Sequence, residues 1–339
     1  MPRSTDTEIV PTAAAGELST ELVDTMSRAR TYARNSRSKR TLDAYASDWK
    51  MFTKWCRRHQ LSPLPAEPVT VVLYFTQLAE GTAFPDEKEP FARRPSTIRR
   101  HAATIAVAHR LAKTVSPIDE EEVQAVLLGI TKTLGGAPKK KTAAVREIVT
   151  DMVHSIDEEV SAPGIAIRNR AIVLVGFGGA LRRSEIVGLD VEHVEFRPRG
   201  MILTIVESKT DKERKGQTVL INKSEHADLC PMRSLQAWLR ELPVSSGAIF
   251  RSLSRRNKMQ RLSGETVANV IKDAASNLKL NPDAFGGHSL RSGHVTTAVR
   301  DGTRIDVVQK QTRHKVLQTL LEYLEREGSW DDNSSKGII

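Results

Sequence analysis

GMILTIVESKTDKERKGQTVLINK, residues 200–223, is the stretch that decides the fold. Two runs rich in Ile, Leu, Val and Thr flank a charged turn, Asp211 to Lys215, and each run opens on a glycine, Gly200 and Gly216. β-Branched residues on both sides of such a turn predict two short strands. Most of the remaining chain carries apolar residues at three- and four-residue steps, so the spacing predicts a mainly α protein with one small antiparallel sheet. Residues 142–195 read as helix, with the most apolar face between Arg168 and Leu189. Beyond the hairpin, helices are expected at about 230–241, 264–278, 289–300, 304–312 and 316–326.

Residues 1–20 are small, polar and slightly acidic, and read as an N-terminal arm. Residues 21–133 read as helices alone. Leu42, Tyr45, Trp49, Phe52 and Cys56 form one apolar stripe, from which Lys50, Lys54, Arg57 and Arg58 project. A second helix is expected after Pro95, capped by Ser96 or Thr97. Gly135, Gly136, Ala137 and Pro138 followed by Lys139, Lys140 and Lys141 mark a linker over residues 134–143, either a solvated hinge or a strap that touches a polyanion. Residues 144–330 form a second domain, and 331–339 a polar tail.

The chain has 339 residues, 51 Lys plus Arg against 41 Asp plus Glu, and a net charge of +10. That balance favours a polyanionic partner without naming it. Basic residues cluster at Arg28, Arg30, Arg34, Arg37, Lys39 and Arg40, and again at Arg93, Arg94, Arg99 and Arg100. Two clusters, each leading into a helix, favour a phosphate-facing surface. Cys56 and Cys230 are too few for a disulfide framework and lack metal-ligand spacing. The N-terminus lacks a signal-peptide core, and the longest uncharged apolar stretch, Ala171 to Leu181, is too short to span a bilayer. A cytoplasmic, nucleoid-associated protein is expected, with no membrane partner. Gly176-Phe177-Gly178-Gly179 lacks the third glycine and the strand of a dinucleotide fingerprint, and suits helix packing or a bend.

Three local features carry chemistry. Arg182 and Glu185 lie at the end of the most apolar helix, His288 and Arg291 stand one helical turn apart, and Arg313-His314-Lys315 precedes Tyr323 among leucines. Singly, each also suits a structural role: an ion pair, a chance spacing, a core tyrosine.

As an ordered set they resemble the tyrosine recombinase (phage integrase) family, in its Cre-like, Xer-like branch. SKRTLDAYASDWKMFTKWC and RRPSTIRRHAATIAVAHRLA resemble DNA-facing helices of the family's all-helical N-terminal core-binding (SAM-like) domain. LRRSEIVGLDVEHV, SKTDKERKG and GGHSLRSG resemble segments of its α+β catalytic domain. The resemblance implies that Arg182 and Arg291 clamp a phosphate, with Glu185 supporting Arg182. It makes His288 the base that takes the phenolic proton and Tyr323 the nucleophile. His314 would bond a nonbridging oxygen, and Lys209, with Lys212 and Lys215 as alternatives on the same hairpin, would protonate the leaving 5′ oxygen. Arg313 departs from the glycine often found before that histidine. DNA contacts are expected from Arg34, Arg37, Lys39, Arg40, Lys50, Arg93, Arg94, Arg99, Arg100, Lys139, Lys140 and Lys141.

The implied activity is site-specific cleavage and rejoining of double-stranded DNA through a 3′-phosphotyrosyl intermediate, without metal, ATP or other cofactor. A homotetramer would hold two short inverted-repeat sites and pass through a Holliday junction, with accessory DNA-bending proteins as further partners. A type IB topoisomerase-like enzyme and a decayed DNA-binding protein are the alternatives.

Overall fold

The structure, a computed structural model, describes Thr25, Arg28 and residues 38–85, 91–135, 141–158, 163–206, 216–242, 244–253 and 259–314. The chain divides into two compact units, Met1–Pro138 and Lys139–Ile339.

Residues 38–85 and 91–135 of the first unit form four α-helices. In α1 (Lys39–Arg58), the Ser38 hydroxyl accepts the Thr41 N–H, satisfying one donor of the first turn. Phe52, Trp55 and Cys56 are buried, whereas Leu42 and Tyr45 of the expected stripe are only half-buried. Proline opens both α2 (Pro68–Glu80) and α3 (Pro95–Leu111). The expected cap at Ser96 or Thr97 is therefore corrected: Pro95 is already the first helical residue, because a missing N–H is harmless there. α4 (Glu121–Leu134) completes the unit. Trp55, Val71, Tyr74, Phe75, Leu78, Ile98 and Ile105 form its core. Inside it Asp48 accepts both Arg100 Nε at 2.7 Å and Nη2 at 2.9 Å, and lies 3.3 Å from His101 Nε2. Burial pushes the His101 imidazole down to about 4 despite Asp48, so at neutral pH its Nδ1 can accept from the Tyr74 hydroxyl, 3.1 Å away.

The second unit begins with α5 (Arg146–Glu158) and α6 (Pro163–Gly178), whose Ala171–Val175 segment is wholly buried. The short α7 (Arg183–Gly188) follows. The sheet has three strands among the described residues, β1 (Val194–Arg197), β2 (Gly200–Ile205) and β3 (Gln217–Asn222), antiparallel in that order. The expectation of two strands, with helix up to 195, is thus corrected. β1 is four residues long and mostly exposed, and so gives no alternating pattern to read. Met201 pairs with Ile221 and Leu203 with Val219 on the buried face, while Leu220 points outward. The charged turn between β2 and β3 and the helix expected at 316–326 lie outside the described residues.

α8 (Pro231–Glu241), α9 (Gly264–Asn277), α10 (Ser289–Arg300) and α11 (Ile305–Thr312) match the remaining expected helices to within one residue. Trp238 on α8 donates to the Ile249 carbonyl at 2.9 Å. Gln311 at the end of α11 donates to the carbonyls of Gly178 (3.2 Å) and Leu220 (3.0 Å), fixing α11 against α6 and β3. Of the α6 glycines, Gly176 has the least room: a Cβ there would sit 2.8 Å from Leu290 and 2.9 Å from Ile186. No described helix is long and apolar enough to cross a membrane.

The first turn of α10 is held by the chain entering the unit. Thr142 donates to the Ala284 carbonyl at 2.7 Å and Ala144 to the Ser289 carbonyl at 2.9 Å. At Gly293 a Cβ would lie 1.7 Å from the Ala144 carbonyl oxygen, so only glycine fits. Gly293→Ala is expected to destabilise this unit by about 1–3 kcal/mol through overpacking. Gly129→Ala, on α4 with open space around it, should instead hold or raise stability by up to about 1 kcal/mol. Thermal melts of the two variants check the contrast, and equal Tm values would contradict it.

Candidate active site

Three pieces of the second unit meet at the C-terminal end of α6. The chain turns through Gly179, Ala180 and Leu181, and Arg182 caps α7. Glu185, one turn into α7, is buried, with 1% of its surface exposed. Its Oε2 accepts the Arg182 backbone N–H at 2.9 Å and its Oε1 accepts Arg182 Nη1 at 2.6 Å. One carboxylate therefore both caps the helix and orients a guanidinium that is 20% exposed.

Arg291 rises from α10 into the core with 0% exposure. Its Nη1 donates to the Ala180 carbonyl at 2.7 Å and its Nη2 to the Thr312 carbonyl. These bonds fix the plane of the fork between the turn after α6 and the end of α11. His288 caps α10 and is exposed. The expectation that His288 and Arg291 share one face resolves into an exposed imidazole at the helix entrance and a buried guanidinium one turn inside.

The third piece is the end of α11. Arg313 adopts φ +57°, in the left-handed region, which costs a non-glycine residue roughly 1–2 kcal/mol. That explains why glycine suits the position. Here the side chain turns inward, and Nη2 donates to Glu185 Oε2 at 2.7 Å. Burial pushes the Glu185 carboxyl up, but Arg313, the Arg182 N–H and the Arg182 guanidinium outweigh it and hold the group below the carboxylate range. From the sequence alone, Arg313 is only a departure from glycine. Its visible signal was a basic residue at a helix end requiring a left-handed turn.

His314 follows directly. Its Nδ1 lies 2.8 Å from Thr312 Oγ1, whose own proton is directed at the Val308 carbonyl 2.7 Å away. The hydroxyl therefore accepts, Nδ1 carries the imidazole proton, and Nε2 presents its lone pair. Burial, and then the charges of Arg291, Arg182, His288 and Arg313, push His314 down to about 4. Each of these four groups is close enough to act on His314, so the sequence-predicted Arg182, His288, Arg291 and His314 come together in one place. Thr312, which fixes the tautomer, and His294, whose Nδ1 bonds the Phe177 carbonyl at 2.8 Å, were not read from the sequence. Lys209, Lys212, Lys215 and Tyr323 lie outside the described residues.

Residues 146–328 match the model of the phage integrase family. An integrase/recombinase XerD homolog of Selenomonas ruminantium is 30% identical over 312 residues, covering 91% of this chain and 87% of that protein. The chain belongs to the phage integrase family. Its enzyme class is that of the tyrosine-type site-specific recombinases. Among solved structures, a lambda integrase tetramer bound to a Holliday junction aligns with a TM-score of 0.58 at 16% identity, covering 91% of this chain and 79% of that one. The XerH recombinase in a post-cleavage complex with its difH substrate aligns at 0.56 and 16% identity, over 77% of this chain and 69% of that one. These two likenesses confirm the fold.

In this integrase-family chain the basic residues expected at DNA differ in setting. Arg40, Lys50, Arg94 and Arg99 are exposed on α1, on α3 or at its cap. Arg100 is also exposed but engaged in the bidentate pair with Asp48. The Arg93 guanidinium lies over the Phe91 ring, 4.0 Å from its centre. Lys141 donates to the Asp283 carbonyl in the second unit. Lys39 starts α1. Arg34, Arg37, Lys139 and Lys140 lie outside the described residues.

The depressed His314 pKa has a defined sign. From its ordinary value near 6.5 down to about 4, the unfolded chain binds a proton that the folded one refuses, so His314 makes stability rise with pH across that window and fall on acidification. Proton NMR titration of the free protein should place the His314 inflection near pH 4. An inflection at or above the ordinary value would show that burial and the cations are not acting on it.

Proposed function

We propose that the protein cuts and rejoins double-stranded DNA at specific sites by transferring a backbone phosphodiester to the Tyr323 oxygen. The observation that carries the reading is the convergence of two oriented guanidiniums, Arg182 and Arg291, with two imidazoles, His288 and His314, at the mouth of one turn. Arginine forks match phosphate oxygens and stay charged at any working pH. They stabilise the charge that builds on those oxygens as the phosphorus becomes five-coordinate.

A phenol with a pKa near 10 is a weak nucleophile unless its proton leaves as it attacks. His288 takes that proton, and its exposed position at the entrance of α10 suits the role. The tyrosine oxygen bonds to phosphorus and the bond to the 5′ oxygen breaks. Lys209 protonates that oxygen, with Lys212 and Lys215 on the same hairpin as alternatives. The 3′-phosphotyrosyl ester conserves the broken bond, so an incoming 5′ hydroxyl reverses the step without ATP. Tyr323 is the one tyrosine in the sequence from Lys139 onward. His314 bonds a nonbridging oxygen once a phosphate among the arginines has raised its proton affinity and placed a proton on Nε2.

The units divide the labour. The helical first unit grips the duplex through Arg34, Arg37, Lys39, Arg40, Lys50, Arg93, Arg94 and Arg99. Lys139, Lys140 and Lys141 form a basic strap, and the second unit performs the chemistry. Four copies hold two inverted-repeat sites and exchange strands through a Holliday junction; the lambda integrase neighbour is a tetramer bound to such a junction.

A nicked suicide duplex, built on the site that the full chain selects from a random-sequence pool, tests the reading. Wild type should form a covalent protein–DNA adduct visible on a denaturing gel. Tyr323→Phe should bind the same duplex and form none, and any adduct from it would refute the nucleophile. Arg182→Ala should slow adduct formation by about 10²–10³.

A further inference from the structure

Glu185 has two oxygens and divides them between two arginines. Oε1 takes Arg182 Nη1, while Oε2 takes the Arg182 backbone N–H and Arg313 Nη2. Arg313 is 9% exposed and Glu185 is 1% exposed, so water cannot replace either partner. The same guanidinium gives Nη1 to the Gln311 carbonyl at 3.0 Å and reaches the Gly179 and Ala180 carbonyls, each at 3.5 Å. Arg313 thus fastens the end of α11 to the turn after α6, the same turn whose Ala180 carbonyl receives Arg291. Glycine would make the left-handed turn at this position more easily but could supply none of these bonds.

We infer that Arg313 is a positioning residue for the phosphate clamp: it locks the second oxygen of Glu185, so that the carboxylate aims the Arg182 guanidinium while the adjoining turn presents His314. The inference rests on the reading of Arg182 and His314 as phosphate-facing groups. It assigns to a side chain of this protein what a glycine can do only through the backbone.

Charge gives the inference a signature that simple packing lacks. Arg182 faces Glu185 from the start of α7 and Arg313 faces it from the end of α11. Arg291 and His288 of α10 act on the adjoining His314. Arg313 is the largest influence opposing the upward push of burial on Glu185. The folded Glu185 pKa is depressed, so its hold on Arg182 is present above that pKa and lost as pH falls through it. Without Arg313 the folded pKa rises, and the acid limit of activity moves to higher pH. Lysine restores the charge but not the fork. Glycine relaxes the turn and removes the charge.

The test is single-turnover cleavage of the same suicide duplex by the full chain, followed across pH for wild type, R313G, R313Q and R313K, with Y323F as the blank. R313G and R313Q are expected to bind the duplex within about threefold of wild type yet cleave at least about tenfold more slowly near neutral pH, the loss lying in kcat. Their acid limb should move to higher pH, and R313K should move it back towards wild type. Wild-type rate and pH dependence in R313G would overturn the inference, since the position would then need only its turn. Slowing of all three variants with no change in the acid limb would overturn it as well, leaving a purely structural role. Should R313G and R313Q fail to fold, R313M, which keeps the length of the side chain without its charge, decides: an acid limb above that of wild type supports the inference, and one equal to it overturns it. Absence of adduct from wild type counts instead against the proposed function.

Discussion

The buried carboxylate of Glu185 is the contact on which the geometry of the candidate site depends. A charge that deep is unfavourable unless its partners are close and well oriented, and here two guanidiniums and a backbone N–H supply that compensation. Because the partners come from the start of α7 and the end of α11, neutralising one charge also ties together segments 128 residues apart in sequence. Arg291 repeats the tactic with carbonyls, joining Ala180 to Thr312 from the third side. Geometry that could serve a phosphate is thus a by-product of satisfying buried polar groups. The requirement for order falls on the protein interior before any DNA arrives.

The first unit uses the same device for another end. Asp48 sits in its core beneath Arg100, His101 and Tyr74, and burial keeps His101 neutral at physiological pH. Cys56, buried beside this network, has its thiol pushed up to about 12, which makes it a packing residue rather than a reactive one.

Much of this was legible in the sequence because it obeys simple periods. The helices of the second unit announce themselves by three- and four-residue apolar steps, and β2 and β3 by β-branched runs around a charged turn. β1 was missed because four mostly exposed residues carry no period. The resemblance to the integrase family singles out Arg182, Glu185, His288, Arg291 and His314 by their order along the chain. It does not give their distances and burial, since those depend on how the turn after α6 meets α10 and α11. Arg313 shows a related limit: a sequence shows a departure from glycine but not a side chain bent back to a carboxylate. Arg100 shows what a charge cluster leaves unread: its fork is taken up by the buried Asp48.

The close approach at Gly293 also has a mechanical side. Thr142 and Ala144 are pinned by their amides to Ala284 and Ser289, and the Ala144 carbonyl is pressed against the bare face of α10. Ser289 begins the helix that carries Arg291 and that His288 caps. A displacement of Thr142 or Ala144 is therefore passed directly to the helix entrance that carries His288 and Arg291.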